Sequence, residues 1–342
     1  MKYEYQKICA NLLKGLSQRT NDVIERRFGL QTGNKETLEA IGKSYSITRE
    51  RVRQIEKEGF SKIRPKLKEY QNVFKYFNDT LASFGDLKRE DVFFEFLGGD
   101  KFQNQVFFLL TNGEDFERSP EDKDFYPFWA RKKDSVNLAK KIVTLIINKF
   151  KKEKKPLTLD ELFKTQNKEI SKVSNRKINK NIFHSYLEIS KEIQKNPENQ
   201  FGLRNWLEIN PRGVKDKAYL VLKKKEQPLH YAKIATLIEK LPFPFQKKTH
   251  VATVHNELIK DPRFVLVGRG LYALREWGYT PGVVRDIIYK VLKESKKPLS
   301  KEEVLDKVLK QRFVKANTIA LNLQDRDYFA RDEKGKYTIR EA

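Results

Sequence analysis

Along most of this chain apolar residues recur every three to four positions, and alternation of the strand-forming kind is confined to short runs beside glycine turns. Near the N-terminus, Leu16-Ser17-Gln18-Arg19-Thr20 and then Val23-Ile24-Glu25-Arg26-Arg27-Phe28-Gly29-Leu30 read as a capped amphipathic helix closed by Gly29, where a left-handed cap costs glycine little. After a loop through Gly33 and Asn34, the run Thr37 to Tyr45 predicts a short helix and Ser46-Ile47 a turn. Thr48 is then the N-cap of a long helix from Arg49 to Arg64, which Pro65 stops. Val52, Ile55 and Phe60 repeat on one face of that helix and are its expected core.

The C-terminal two-thirds repeats itself. Lys155-Pro156-Leu157-Thr158, Gln227-Pro228-Leu229-His230 and Lys297-Pro298-Leu299-Ser300 recur at spacings of 72 and 70, each setting Pro and a capping residue ahead of a helical pattern. An apolar-striped helix precedes each, at Leu138 to Phe150, Lys217 to Leu222 and Val283 to Leu292. Two further helices and a strand pair around a Gly turn follow, ending in Phe201-Gly202-Leu203, Gly270-Leu271-Tyr272-Ala273-Leu274 and Gly335-Lys336-Tyr337-Thr338-Ile339. Three helices and a hairpin over about 70 residues is the order of a winged helix, in which the hairpin seals a core too small to stand alone. A diverged fourth copy is expected before these three. Asp86-Leu87-Lys88-Arg89-Glu90-Asp91-Val92 resembles Pro298-Leu299-Ser300-Lys301-Glu302-Glu303-Val304, and Phe116 and Phe125 to Trp129 are its candidate strands.

Composition sharpens this picture. The 342 residues carry 70 Lys and Arg against 46 Asp and Glu, a net charge of +24, for which a polyanion is the natural partner: nucleic acid first, an anionic membrane surface second, with a merely soluble lysine-rich surface as the bland alternative. The excess is uneven. Residues 1–70 hold 16 basic and 9 acidic side chains, 71–134 hold 9 and 13, and 135–342 hold 45 and 24. Basic parts therefore flank an acidic, aromatic middle, whose surface is expected to face protein rather than duplex. Cys9 is the single cysteine, so no disulfide or cysteine-based zinc site forms within one chain. Neither a signal-type leader nor a long apolar run is legible, which leads to the expectation of a cytoplasmic, nucleoid-associated protein with no membrane partner.

The helix from Thr48 carries Arg49, Glu50, Arg51, Arg53 and Gln54 in its first turns. Arg can bond guanine O6 and N7, Gln suits adenine and Glu accepts from cytosine N4, so the set suits major-groove reading; the alternative is that Glu50 and Arg53 simply pair on a solvated face. In order, spacing and identity, Arg26-Arg27-Phe28-Gly29-Leu30, Thr37-Leu38-Glu39-Ala40-Ile41-Gly42 and Thr48-Arg49-Glu50-Arg51-Val52-Arg53-Gln54-Ile55-Glu56 resemble region 4 of the sigma-70 class of transcription initiation factors, over about residues 10 to 68. That resemblance implies double-stranded promoter DNA of the −35 type and the β flap of RNA polymerase core as partners. It implies Arg49, Glu50 and Gln54 at bases, with Thr48, Arg51 and Arg53 on phosphates or positioning the helix. Nothing in the chain resembles the region by which complete sigma factors melt the −10 element.

Residues 208 to 278, with Pro228-Leu229-His230-Tyr231-Ala232-Lys233-Ile234-Ala235 and Asp261-Pro262-Arg263-Phe264-Val265-Leu266-Val267-Gly268-Arg269-Gly270-Leu271-Tyr272-Ala273-Leu274, resemble the HARE-type winged helix, a family that includes a domain of the RNA polymerase delta subunit. His250, Thr253, His255 and Asn256 on its third helix and Arg263, Arg269 and Arg275 on its wing are the candidate contacts, of which His250, Thr253, Asn256 and Arg269 are the DNA-binding candidates; Tyr272, Leu274 and Trp277 are expected in the core. No P-loop, nucleophile elbow, H-E-x-x-H or dinucleotide pattern is present, and the acidic runs at Glu114-Asp115 and Glu121 to Asp124 lack the positioning a metal nuclease needs. His184, His230, His250 and His255 offer no third ligand. The expectation is a non-enzyme with no catalytic or metal site and no cofactor. Its fold class is mainly α with small β wings: a sigma region 4-like helix-turn-helix (1–70), an acidic, diverged winged-helix unit (71–134), a winged helix (135–207), a HARE-type winged helix (208–278) and a last winged helix (279–342). The rival readings are a delta-like polymerase accessory subunit without sequence-specific DNA binding, and the DNA-recognition component of a restriction or modification system.

Overall fold

The N-terminal helices α1 (Tyr5–Leu13), α2 (Gln18–Phe28), α3 (Leu38–Ser44) and α4 (Arg49–Ile63) open a computed structural model that describes residues 3–243 and 248–340. Gly29 takes the left-handed cap of α2 at φ 62, as its place after Phe28 predicts. Pro65 acts differently from expectation: α4 ends at Ile63 and the chain runs on as a 3-10 helix over Arg64–Tyr70, with Pro65 in the first turn where a missing N–H leaves nothing unpaired.

The acidic stretch forms α5 (Gln71–Ser83), β1 (Leu87–Arg89), α6 (Glu90–Gly98), α7 (Gln103–Asn112), β2 (Glu117–Ser119) and β3 (Phe128–Ala130). β3 is the central strand, antiparallel to both neighbours, with Trp129 opposite Lys88 on one side and Arg118 on the other. One side of α7 packs against the N-terminal helices. The rings of Phe107 and Phe108 on α7 lie 5.4 and 5.2 Å from that of Phe28. Asn104 Nδ2 donates to the carbonyls of Gly29 (3.0 Å) and Gly33 (2.8 Å), and Gln105 Nε2 to that of Leu30 (3.1 Å). One apolar core consequently runs from Tyr5, Leu12 and Phe28 through Phe77 and Phe93 to Leu109 and Trp129.

α8 (Lys133–Glu153), β4 (Leu157–Thr158), α9 (Leu159–Ser174), α10 (Lys180–Glu188), β5 (Ile193–Lys195) and β6 (Gln200–Leu203) complete a compact unit that ends at Asn205. Thr158, in the first Pro-Leu repeat, starts α9 with a reciprocal capping box to Glu161. α10 turns inward: Ile182 lies so close to Gly85 that a Cβ there would sit 2.5 Å from its Cγ2. Lys88 pairs with Glu188 at 2.5 Å and Arg176 with Asp86 at 2.6 Å.

The second compact unit begins at Trp206. It holds α11 (Gly213–Lys225), β7 (Leu229–His230), α12 (Tyr231–Glu239), α13 (Val251–Lys260), β8 (Phe264–Gly268) and β9 (Leu271–Leu274), then α14 (Val284–Ser295), α15 (Lys301–Leu309), α16 (Ala316–Leu323), β10 (Phe329–Arg331) and β11 (Tyr337–Ile339). β9 lies between β7 and β8, whereas β10 and β11 form a hairpin to which Leu299 adds one bridge, at Tyr337. Each helix trio has its own core, one around Leu222, Ile234 and Leu258 and the other around Ile288, Val304 and Ile319. Ser300 starts α15 with the same capping box to Glu303 that Thr158 makes to Glu161.

Candidate nucleic-acid interface

The geometry of α4 is set by local chemistry at both of its neighbours. Ser17, Thr37 and Thr48 each accept a hydrogen bond from the third residue on, at 3.3, 3.1 and 3.2 Å, and so start α2, α3 and α4. The turn from α3 to α4 is tight because Gly42 has no side chain: a Cβ there would meet the Ile47 carbonyl oxygen at 2.8 Å. At Gly59 a Cβ would meet Ile24 at 2.6 Å, so glycine also lets α2 and α4 cross closely. Val23, Ile41, Val52 and Ile55 fill the small core between the three helices, and Phe60 packs on the larger core beside it.

A polar brace holds the turn from outside. Arg26 forks onto Glu36 through Nε (2.8 Å) and Nη2 (2.7 Å) and reaches Ser44 Oγ at 2.9 Å. Tyr45 donates to Asp22 at 2.7 Å, and Arg19 stacks on the Tyr45 ring at 5.0 Å. The Arg26 hydrogen bond holds the Glu36 carboxyl below the usual carboxylate range. This brace was not legible as such in the sequence; the signal available was only that Arg26, Glu36 and Tyr45 flank the two predicted turns.

Thr48, Arg49, Glu50, Arg51, Arg53 and Gln54 are all exposed on the outer side of α4, and Lys57, which the sequence reading passed over, extends that side by one turn at i+4 from Arg53. Arg53 grips Glu50 through Nη2 (2.6 Å) and Nε (2.9 Å), and Arg51 donates to Gln54 Oε1 at 3.1 Å. The Arg53 hydrogen bond holds the Glu50 carboxyl below the usual carboxylate range. Pairing and base contact are not exclusive: a guanidinium already held by a carboxylate is positioned, and exposed pairs of this kind cost little to re-aim.

In the second unit, His250 stands at the N-cap position of α13 and makes no capping bond; His250, Thr253 and Asn256 are exposed, as is Arg269 in the turn between β8 and β9. Gly270 completes that turn at φ 68, where a Cβ would sit 2.5 Å from the His230 ring. His255 is not on the open side: its ring stacks on Tyr231 at 4.4 Å. Arg263 is likewise committed, to Asp261 at 2.6 Å and Asp216 at 2.9 Å, and so differs from the exposed Arg275. Tyr272 and Leu274 are buried in the core, with Trp277 packed against it.

Comparison with known proteins matches residues 12–65 to the family Sigma-70, region 4. The chain is 48% identical over 54 residues to the RNA polymerase sigma factor SigA of Microcystis aeruginosa and, equally, to that of Synechocystis, covering 16% of this chain and 13% of each relative. It is 44% identical over 64 residues to SigA of Clostridium acetobutylicum, 17% of either chain. The chain thus spans less than a fifth of the length of these curated relatives. The family match at residues 12–65 takes in α2, α3 and α4, and over that stretch the chain is similar to sigma-70 region 4.

Proposed function

We propose that this chain is a DNA-binding transcription regulator of sigma-like type, in which α4 reads duplex DNA of the promoter −35 kind. The observation that carries the reading is a coincidence of place. The one stretch similar to sigma region 4 is also the stretch where a braced helix presents Arg49, Glu50, Arg51, Arg53 and Gln54 outward from a buried Val52 and Ile55. In a major groove those side chains suit guanine, cytosine and adenine edges, with Thr48 and the remaining arginines on phosphates.

RNA polymerase core, through its β flap, is the protein partner that the similarity suggests. Its docking would use surface other than the side of α2 and the Gly29–Gly33 loop, which α7 covers. The four stretches from 71 to 342 are read as winged helices in tandem, the one at 208–278 of HARE type, with His250, Thr253, Asn256 and Arg269 adding contacts to DNA or protein. Linked modules of this sort raise one another's effective concentration, so tight binding needs no single large interface. The chain is read as a non-enzyme acting in the cytoplasm on the nucleoid. Selection from a pool of random duplexes tests the proposal: enrichment of one −35-like hexamer supports it, and recovery of an unenriched pool at low salt argues for an accessory subunit that does not read sequence.

A further inference from the structure

The stretch 135–205 carries 16 basic and 7 acidic residues, more excess charge than any other stretch of its length considered above, yet only the first turn of its third helix, at Lys180 and Asn181, is exposed. Ile182, Phe183, Ser185, Tyr186 and Leu187 of α10 are all buried, and Glu188 is held by Lys88. The second helix, by contrast, exposes a regular row of lysines. Lys164, Lys168 and Lys172 stand at i, i+4 and i+8 of α9, all exposed, and none pairs with a carboxylate within 4 Å among the described residues. The acids at the start of α9 are already occupied: Asp160 pairs with Lys180 at 2.6 Å, and Glu161 accepts from the Thr158 backbone at 2.7 Å. Glu169 is the remaining exposed carboxylate of the helix.

We propose that Lys164, Lys168 and Lys172 form a sequence-independent phosphate track on α9 that grips the backbone of duplex DNA and adds affinity without choosing sequence. The inference rests on the reading of the chain as a duplex-DNA binder and assigns a site outside the sigma-like helix. Four helical residues advance about 6 Å. Two nucleotides of one strand advance about 6.8 Å along the duplex axis, so three flexible ammonium groups can meet alternate phosphates of one strand. Release of condensed counterions then makes each contact salt-sensitive, and the hydrated, mobile lysine head imposes no base preference.

The experiment is a salt series of anisotropy titrations with the full chain on a −35-like and a scrambled duplex. It compares wild type, a Lys164→Gln/Lys168→Gln/Lys172→Gln variant, and a Lys75→Gln/Lys123→Gln/Lys133→Gln variant that removes equal charge from exposed positions elsewhere. The track predicts that the first variant loses about 2 to 3 from the slope of log K against log salt on both duplexes, with the ratio between duplexes unchanged and the melting temperature held. The second variant keeps its slope within about one. Equal slopes for all three proteins, or equal losses in the two variants, would overturn the track; so would binding to anionic vesicles that falls only in the first variant while its DNA slope is retained, which would give the row to a lipid surface. An Arg49→Ala/Gln54→Ala protein run alongside separates the two claims: retained duplex preference there, with the slope loss in the lysine variant, removes the α4 reading and leaves the track standing.

Discussion

Truncating a side chain on α7 should destabilise the helix-turn-helix, although α7 lies outside the stretch similar to sigma region 4. Phe108 is fully buried, and its ring meets Phe28 edge-on at 5.2 Å and 76°. Phe108→Ala removes a large core ring, at about 3–5 kcal/mol, of which the aromatic pair accounts for about 0.5–1.5 kcal/mol. Because Phe28 and Phe108 share one core with Ile24, Ile63 and Leu67, the loss falls on the whole body and not on α7 alone. At about 1.4 kcal/mol per decade, the slowest amides should exchange roughly 100- to 4000-fold faster. Native-state hydrogen exchange read by mass spectrometry should show that acceleration equally in peptides from 18–63 and from 103–112. Acceleration confined to the α6 and α7 peptides, with 18–63 unchanged, would refute a shared core.

Three further outcomes follow from the same geometry. Gly29→Ala places a Cβ at positive φ and 2.8 Å from the Asn34 backbone, so it should destabilise the chain by more than about 1 kcal/mol in urea titrations, where an ordinary surface Gly→Ala does not. Glu36, whose carboxyl the Arg26 hydrogen bond holds low, contributes stability that is present above the ordinary carboxylate range and lost as pH falls through its depressed value; Glu36→Gln should therefore show a shallower fall of melting temperature between about pH 5 and 3 than wild type. Arg53→Ala should leave the melting temperature nearly unchanged, since the pair with Glu50 is exposed, while weakening binding to a −35-like duplex; a clear fall in melting temperature with intact binding would mean that the pair is structural only.

The parts legible in the sequence are those with a local cause. Thr48 is a cap because its hydroxyl serves an N–H three residues on, Gly29 ends α2 because the chain turns left-handed there, and the Thr158–Glu161 and Ser300–Glu303 boxes mark repeated helix starts. What was not legible depends on tertiary placement. Phe107 and Phe108 carry the same apolar spacing whether they close their own unit or cover Phe28, and Ile182 gives no sign that it seats on Gly85. Likewise Arg263 and Arg269 look alike in the wing sequence, yet two carboxylates hold the first and the second stands exposed. The lysines of α9 escaped the reading of the sequence, because their lack of a carboxylate partner among the described residues follows only once Lys180 and the Thr158 backbone are seen to occupy the nearby acids.

The central claim is that α4 reads sequence. Fluorescence anisotropy of wild type and Arg49→Ala/Gln54→Ala, each on a −35-like and a scrambled duplex over a salt series, tests it most directly. The account predicts that wild type prefers the −35-like duplex, by about 1–3 kcal/mol for each good bidentate contact, and that the double variant loses the preference while keeping salt-dependent binding to both. Equal, steeply salt-dependent binding of both proteins to both duplexes would contradict it.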